Sequence, residues 1–298
     1  MHYALPFILR GATVDLMQIK LVALDIDGTL LNPRSEITPR TRKAIQAARD
    51  AGVKVVLVTG RRFESARPIA AELGLDVPLV SHNGALTKDA ETLEVIDQHL
   101  LDRQMALRII ELGRQLRADI LLSDDPAGRG VVVIDRISDD NHSLHRYLGY
   151  IEQRGSVILR VPDLIDYLDH SPIQLTISGR CQAIDEVAEV MGAKLDGQAK
   201  LLMTCYPAGD LTILDLLNPV CSKGAGLAAM AQTLGIPPSQ VMAIGDNYND
   251  IEMLQYAGVP VLMGNAENGL RQMGFHLTAS NDEDGAAQAI EKFILSQL

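Results

Sequence analysis

The sequence predicts an α/β protein, a parallel sheet with crossover helices into which a separate α+β layer is inserted. Three observations lead there. From Ile19 onward, apolar runs of strand length alternate with helix-like segments. Residues 53–58 are nearly continuous Val and Leu, the pattern of a strand buried on both faces. The alternation then breaks off near residue 86 and returns near residue 211.

Taken in order, residues 21–24 form the first strand. Thr38 offers an N-cap with Pro39 at the first helical position, and the helix runs to about residue 51, where Gly52 stops it. The second strand, 53–58, leads into a helix at 63–73, and a strand at 78–80 ends in Ser81-His82-Asn83-Gly84-Ala85. The middle reads differently. A helix at 102–117 carries Met105, Ile109, Leu112 and Leu116 on one face. Strands at 119–122 and 131–134, a helix at 143–153, an alternating strand at 173–178, a helix at 183–191 and a strand at 199–204 follow. From 211 the α/β pattern resumes: strand 211–217, helix 222–234 stopped by Gly235, strand 241–244, helix 249–256, strand 259–262 and a C-terminal helix from about 284. The expected organisation is a core of residues 1–85 and 206–298 with an insert of 86–205, hinged at two points as a lid. Met17 stands directly before the first strand, so residues 1–16 are expected to be an N-terminal extension outside the fold.

Composition narrows the function. With 298 residues, 47% apolar and 22% charged, the chain has material for a sizeable core. A formal net charge of −11 argues against nucleic acid or an anionic membrane surface as partner. No apolar run reaches membrane-spanning length. Three widely spaced cysteines, Cys181, Cys205 and Cys221, point to a reducing, cytoplasmic compartment and not to a disulfide framework. The seven histidines show no zinc-ligand spacing.

The chemistry gathers where core strands end, which is where open α/β sheets bind ligands. The first strand is followed by Asp25-Ile26-Asp27-Gly28-Thr29, the second by Thr59-Gly60-Arg61, and strand 241–244 by Gly245-Asp246-Asn247-Tyr248-Asn249-Asp250; Lys223 opens the helix at 222. Such a set suits phosphoryl transfer, in which a dianionic group needs electrostatic clamping. Mg²⁺ takes hard oxygen ligands, and Asp25 and Asp246 fit that need. Thr59 and the backbone N–H groups of Gly60 and the Asp25–Asp27 turn can hold phosphate oxygens, with Lys223 as the point charge. A carboxylate can serve as nucleophile, and a second acid two residues on can serve as proton donor and acceptor. Arg61 and Arg62 could clamp a substrate but are at least as well read as solvated arginines at a helix start, and His82 could touch substrate but is better read as a structural histidine. Asp124-Asp125 and Asp139-Asp140 read as solvated loop carboxylates.

Four segments, DIDGTL at 25–30, VTGR at 58–61, SKG at 222–224 and GDNYND at 245–250, resemble in order and spacing the motifs of the haloacid dehalogenase (HAD) superfamily of phosphatases. The insert, preceded by Asn83-Gly84-Ala85, resembles the Cof-type branch with its type IIB α/β cap. The resemblance implies a Rossmann-like parallel-sheet HAD core with an inserted α+β cap. It further implies a Mg²⁺-dependent phosphatase acting on small phosphorylated metabolites, sugar phosphates first, through an aspartyl-phosphate. On that pattern Asp25 is nucleophile and metal ligand, and Asp27 is general acid/base and metal ligand through its carbonyl. Ile26, Thr59, Gly60, Lys223 and Asn249 hold the phosphoryl group, Asp246 completes the metal ligands, and Asp250 orients the site from behind. A monomer or small homo-oligomer is expected. The alternatives are a phosphomutase using the same aspartates and a non-catalytic metabolite-binding regulator on the same fold.

Overall fold

The computed structural model describes residues 18–125, 130–153, 156–206 and 210–297; the expected extension, residues 1–16, lies outside the described residues. The chain opens with β1 (Leu21–Leu24), all four residues buried, and α1 (Pro39–Asp50), whose N-cap Thr38 accepts a hydrogen bond from the Thr41 N–H. Then come β2 (Lys54–Leu57), α2 (Phe63–Glu72) and β3 (Leu79–Ser81). A hairpin of β4 (Leu86–Lys88) and β5 (Val95–Gln98) pairs antiparallel with β3. The middle holds α3 (Arg103–Gln115), β6 (Ile120–Asp124), β7 (Val131–Ile134), α4 (His142–Gln153), β8 (Val157–Arg160), α5 (Leu164–Tyr167), β9 (Gln174–Gly179), α6 (Cys181–Leu195), β10 (Lys200–Tyr206) and β11 (Leu211–Leu217). The chain returns through α7 (Lys223–Thr233), β12 (Val241–Gly245), α8 (Ile251–Tyr256), β13 (Val259–Leu262), α9 (Asn268–Arg271), β14 (His276–Leu277) and α10 (Gly285–Phe293).

Five strands make the parallel core sheet in the order β14-β13-β12-β1-β2, and a single parallel bridge from Val58 to Val80 brings β3 alongside β2. Apolar clusters bury both faces of this sheet, one holding Val22, Leu24, Val55 and Leu57, the other Leu21, Ala23, Val56 and Val58. That alternation explains why its strands read as continuous apolar runs.

The second sheet has the order β10-β11-β9-β6-β7-β8, antiparallel throughout except for the β7–β8 pair. Period-2 alternation splits its faces. Leu122, Val131, Val133, Leu175 and Ile177 pack with α3, α5 and α6, whereas Leu121, Val132 and Ile134 point the other way and pack with α4.

The pairing corrects two readings of the sequence. The strand Leu211–Leu217 was expected to begin the returning core; it pairs antiparallel with β10 and β9 and belongs to the second sheet. The segment after Ala85 was expected to open the insert, yet β4 and β5 stay with β3 on the core side. Along the chain the two cores change over between Leu100 and Leu101 on the way out and between Leu216 and Leu217 on the way back, with Ile173 and Leu202 from the stretch between packing into the first core. We therefore propose that the cap comprises residues 101–216, its two connections side by side: Asn218 Nδ2 donates to Leu100 O at 2.9 Å. Asp124 and Asp125 also depart from expectation. Asp124 is buried and accepts from Tyr167 Oη at 2.9 Å, and Asp125 pairs with the buried Lys88 Nζ at 2.8 Å across the core–cap junction.

Candidate active site

Strand register does the first part of the positioning. Leu24 lies opposite both Ile244 and Leu57, so Asp25 is level with Gly245 and Val58, and Asp246 and Thr59 follow one step later. Three strand ends thus deliver their polar residues to the same edge of the sheet. Gly28 makes the turn after Asp25 possible: its φ is +81°, and a Cβ there would lie 2.2 Å from Asp246 Oδ2. The fourth contribution comes from α7. Ser222 Oγ accepts from the Ala225 N–H at 3.0 Å as N-cap, which leaves Lys223 in the first turn, aimed at the strand ends.

Lys223 is buried, and its Nζ donates to Asp25 Oδ1 at 2.7 Å and to Asp250 Oδ1 at 2.6 Å. Asp250 Oδ2 accepts from the N–H groups of Asp246 and Asn247, both at 2.9 Å. Both Asp250 oxygens are therefore engaged, and the residue pins the β12 loop against the lysine. Asp246 Oδ1 accepts from Thr29 Oγ1 at 3.1 Å. Burial first, then Asp250 and Asp27, raise the Asp25 carboxyl against the pull of Lys223, and the balance leaves it at about 7. Burial, then Asp25 and Asp250, raise Asp246 as well. For Lys223, burial alone would favour the neutral amine, but Asp25 and Asp250 outweigh it and its pKa is raised. The charged lysine thus sits among carboxylates that outnumber it, and the site has room for another cation.

Asp25, Asp246 and Asp250 each offer an oxygen within 4.8 Å of the others. A set made only of carboxylate oxygens, without His or Cys, suits a hard ion such as Mg²⁺ better than zinc. Asp250 is tied through both oxygens to the lysine and to two backbone N–H groups, whereas Asp246 accepts from the neutral Thr29 hydroxyl and, at 3.3 Å, the Asn265 amide, so Asp25 and Asp246 are the two that could hold a metal. The Asp27 carboxylate does not join that group: Arg61 Nε and Nη2 grip its two oxygens, each at 2.6 Å.

Thr59 and Gly60 lie beside Asn83, whose Oδ1 would be 3.0 Å from a Cβ at Gly60. Asn249 Nδ2 donates to Asn83 Oδ1 at 3.0 Å, and Asn83 Nδ2 donates to Asp215 Oδ2 at 2.8 Å. His82 and Asn83 both take left-handed φ values, 51° and 52°, a strained pair of non-glycine residues that turns the Asn83 side chain inward. The structure so brings together Asp25, Asp27, Thr59, Gly60, Lys223 and Asn249 around one cavity of about 380 Å³, with Asp246 and Asp250 beside Asp25. Ile26 is buried directly between the two aspartates.

Three contributors escaped the sequence reading. Arg61 is the partner of Asp27, Asn83 links Asn249 to the cap, and Asp215 lines the cavity from β11. Arg62, for which the sequence leaves both a solvated and a substrate-clamping place open, is 5% exposed. The ceiling is one face of the cap sheet, Leu121 and Ser123 on β6, Gln174, Thr176 and Ser178 on β9, Leu211, Ile213 and Asp215 on β11. Every second residue faces in, as strand geometry requires.

The model of the haloacid dehalogenase-like hydrolase family matches residues 22–290. The chain belongs to that family. As an enzyme it is a HAD phosphatase of the Cof-type branch, with an α/β core and an inserted cap. YxeH of Bacillus subtilis is 30% identical over 93% of this chain and 99% of its own. The pyridoxal phosphate phosphatase YbhA of Escherichia coli is 27% identical over 94% of this chain and 100% of its own. The solved structure of the HAD subclass IIB sugar phosphatase BT4131 superposes with a TM-score of 0.77 over 92% of this chain and 98% of that one, at 22% identity. That last likeness speaks for the HAD fold alone.

Proposed function

We propose that the protein is a Mg²⁺-dependent phosphatase that hydrolyses a small phosphorylated metabolite through an aspartyl-phosphate at Asp25. The observation that carries the reading is Lys223 held between Asp25 and Asp250 at the floor of a cavity whose ceiling is the cap. Sugar phosphates are the first class suggested by resemblance, and the relative YbhA, named for pyridoxal phosphate, widens the range to ring-bearing esters. The free cysteines support a cytoplasmic setting.

In this reading Lys223, Thr59, Asn249 and the N–H groups of Ile26 and Gly60 hold the phosphoryl oxygens while Asp25 attacks phosphorus. The ester P–O bond breaks, and its oxygen leaves with a proton from Asp27. Asp27 then takes a proton from a water that attacks the same phosphorus, releasing phosphate and restoring Asp25. Bound between Asp25 and Asp246, Mg²⁺ would neutralise charge on the transferring group. Asp250 holds Lys223 and the Asp246 loop in place throughout. Since Arg61 grips Asp27, that fork must part as the ester enters if Asp27 is to reach the leaving oxygen.

The test is phosphate release from a panel of small phosphoesters, with and without Mg²⁺, by the protein and by Asp25→Asn. We expect Mg²⁺-dependent release that falls by roughly 10³-fold or more in the variant. Release that survives the substitution would refute the assignment of Asp25.

A further inference from the structure

Arg62 stands at the core–cap junction with its charge unanswered. It is the N-cap residue of α2 and only 5% exposed. Its Nη2 donates to Ser156 Oγ of the cap at 3.0 Å, while Nε and Nη1, both buried, have no partner among the described residues. Glu64, two residues on, feels the guanidinium charge but makes no ion pair with it among the described residues. Arg61, its neighbour, already has Asp27 in a bidentate grip. A guanidinium buried without an anion is costly, and it calls for an oxyanion to complete its fork.

Arg62 also lines the cavity that holds Asp25 and Lys223. Facing it there are the aliphatic side chains of Leu121, Val132, Leu144 and Ile151, which form the small apolar cluster between the cap sheet and α4, together with Leu211 and Ile213 of β11. A polyol bound against this wall would lose hydration at each hydroxyl without gaining a partner. A ring or branched hydrocarbon would gain contact instead. Of the polar residues of the ceiling, Gln174 and Thr176 are already engaged with Asp215, which also accepts from Asn83.

We propose that Arg62 is a specificity residue that binds a second oxyanion, a carboxylate or a further phosphate, carried on the apolar, ring-like body of the phosphomonoester substrate. The proposal rests on the phosphatase reading for its substrate pose and narrows it: the substrate bears two anionic groups, one transferred by Asp25 and one retained at Arg62.

The experiment compares kcat/KM with Mg²⁺ for phenyl phosphate, the ortho, meta and para carboxyphenyl phosphates, resorcinol bisphosphate and glucose 6-phosphate, using the protein, Arg62→Gln and Arg62→Lys. We expect the best doubly anionic aromatic ester to exceed phenyl phosphate by about tenfold or more, mainly through KM, and that ratio to collapse towards one in Arg62→Gln. Arg62→Lys, which keeps the charge but not the fork, should recover part of it. Whether the carboxylate or the second phosphate is favoured separates the two sources of the oxyanion. Equal rates for singly and doubly anionic esters, or a preference that persists in Arg62→Gln, would overturn the proposal. Glucose 6-phosphate matching the best aromatic ester would overturn its apolar part. If no ester releases phosphate, the phosphatase reading fails by itself. The pocket is then judged by calorimetric binding of the carboxyphenyl phosphates against phenyl phosphate, where the same ratio and its loss in Arg62→Gln decide.

Discussion

At the scale of single residues, the site depends on close approach more than on any one strong bond. Gly28 shows this best, because the space a side chain would need is occupied by the Asp246 carboxylate. Gly28→Ala should cost about 1 kcal/mol or more through its left-handed φ. It should also displace Asp246 and lower Mg²⁺-dependent turnover by roughly 10²-fold, a loss that excess Mg²⁺ partly restores if the metal ligand has moved. Turnover within twofold of the parent would show that Asp246 is not held against that turn. The residues of the floor were legible in the sequence since each lies immediately after an apolar run or at a helix start. Arg61 and Arg62 were not. A pair of adjacent arginines says nothing about burial until the cap closes over one of them and Asp27 is found within reach of the other.

At the scale of elements, the parallel strands and their helices were readable from periodicity, whereas sheet membership was not. The strand β11 carries inward-facing Ile213 and Asp215 at alternate positions, and the same alternation would suit an edge of either sheet. Only its ladder with β9 and β10 assigns it to the cap. The exposed strands β5 and β8 went unread for a related reason, since exposed strands lack the continuous apolar signature, and the buried β4 lacks it too because two of its three residues are Thr87 and Lys88. The correction matters for movement, because with the cap proposed as residues 101–216 both of its connections meet at the Leu100–Asn218 contact. Asn218→Ala removes that bond, which is worth about 1 kcal/mol. We expect kcat and KM to shift together by several-fold, with thermal stability lowered only slightly. A pure stability loss with unchanged kinetics would show that the connections do not act as hinges.

At the scale of the whole molecule, core and cap are tied by a polar chain through Asn249, Asn83 and Asp215. Burial pushes the Asp215 carboxyl up to about 6, while its bonds from Thr176 and Asn83 and the charge of Lys223 pull it down. A folded-state value above the unfolded one means that the native protein holds this proton more tightly. The stability it contributes is fully present below about pH 4 and lost as pH rises through about 6, for a total of about 3 kcal/mol. Urea unfolding at about pH 4, 5.5 and 7 should therefore show the protein losing ground to Asp215→Asn as pH rises, since the other titrating groups are common to both. A constant difference between the two would sink this account. Among the described residues no helix is long and apolar enough to cross a membrane.

The floor of the cavity is made by strand ends of the core, and its ceiling by alternate residues on one face of the cap sheet. Floor and ceiling meet through polar side chains, Asn83 on Asp215 and Asn249 on Thr204, and the apolar members of the ceiling take no part in those bonds. A lineage that carries this fold can accordingly change Leu121, Val132, Leu211 or Ile213 one at a time without touching the aspartates or the lysine. Drift in diet is thereby uncoupled from the inheritance of the reaction, and descendants can acquire new substrates while every one of them still removes a phosphate.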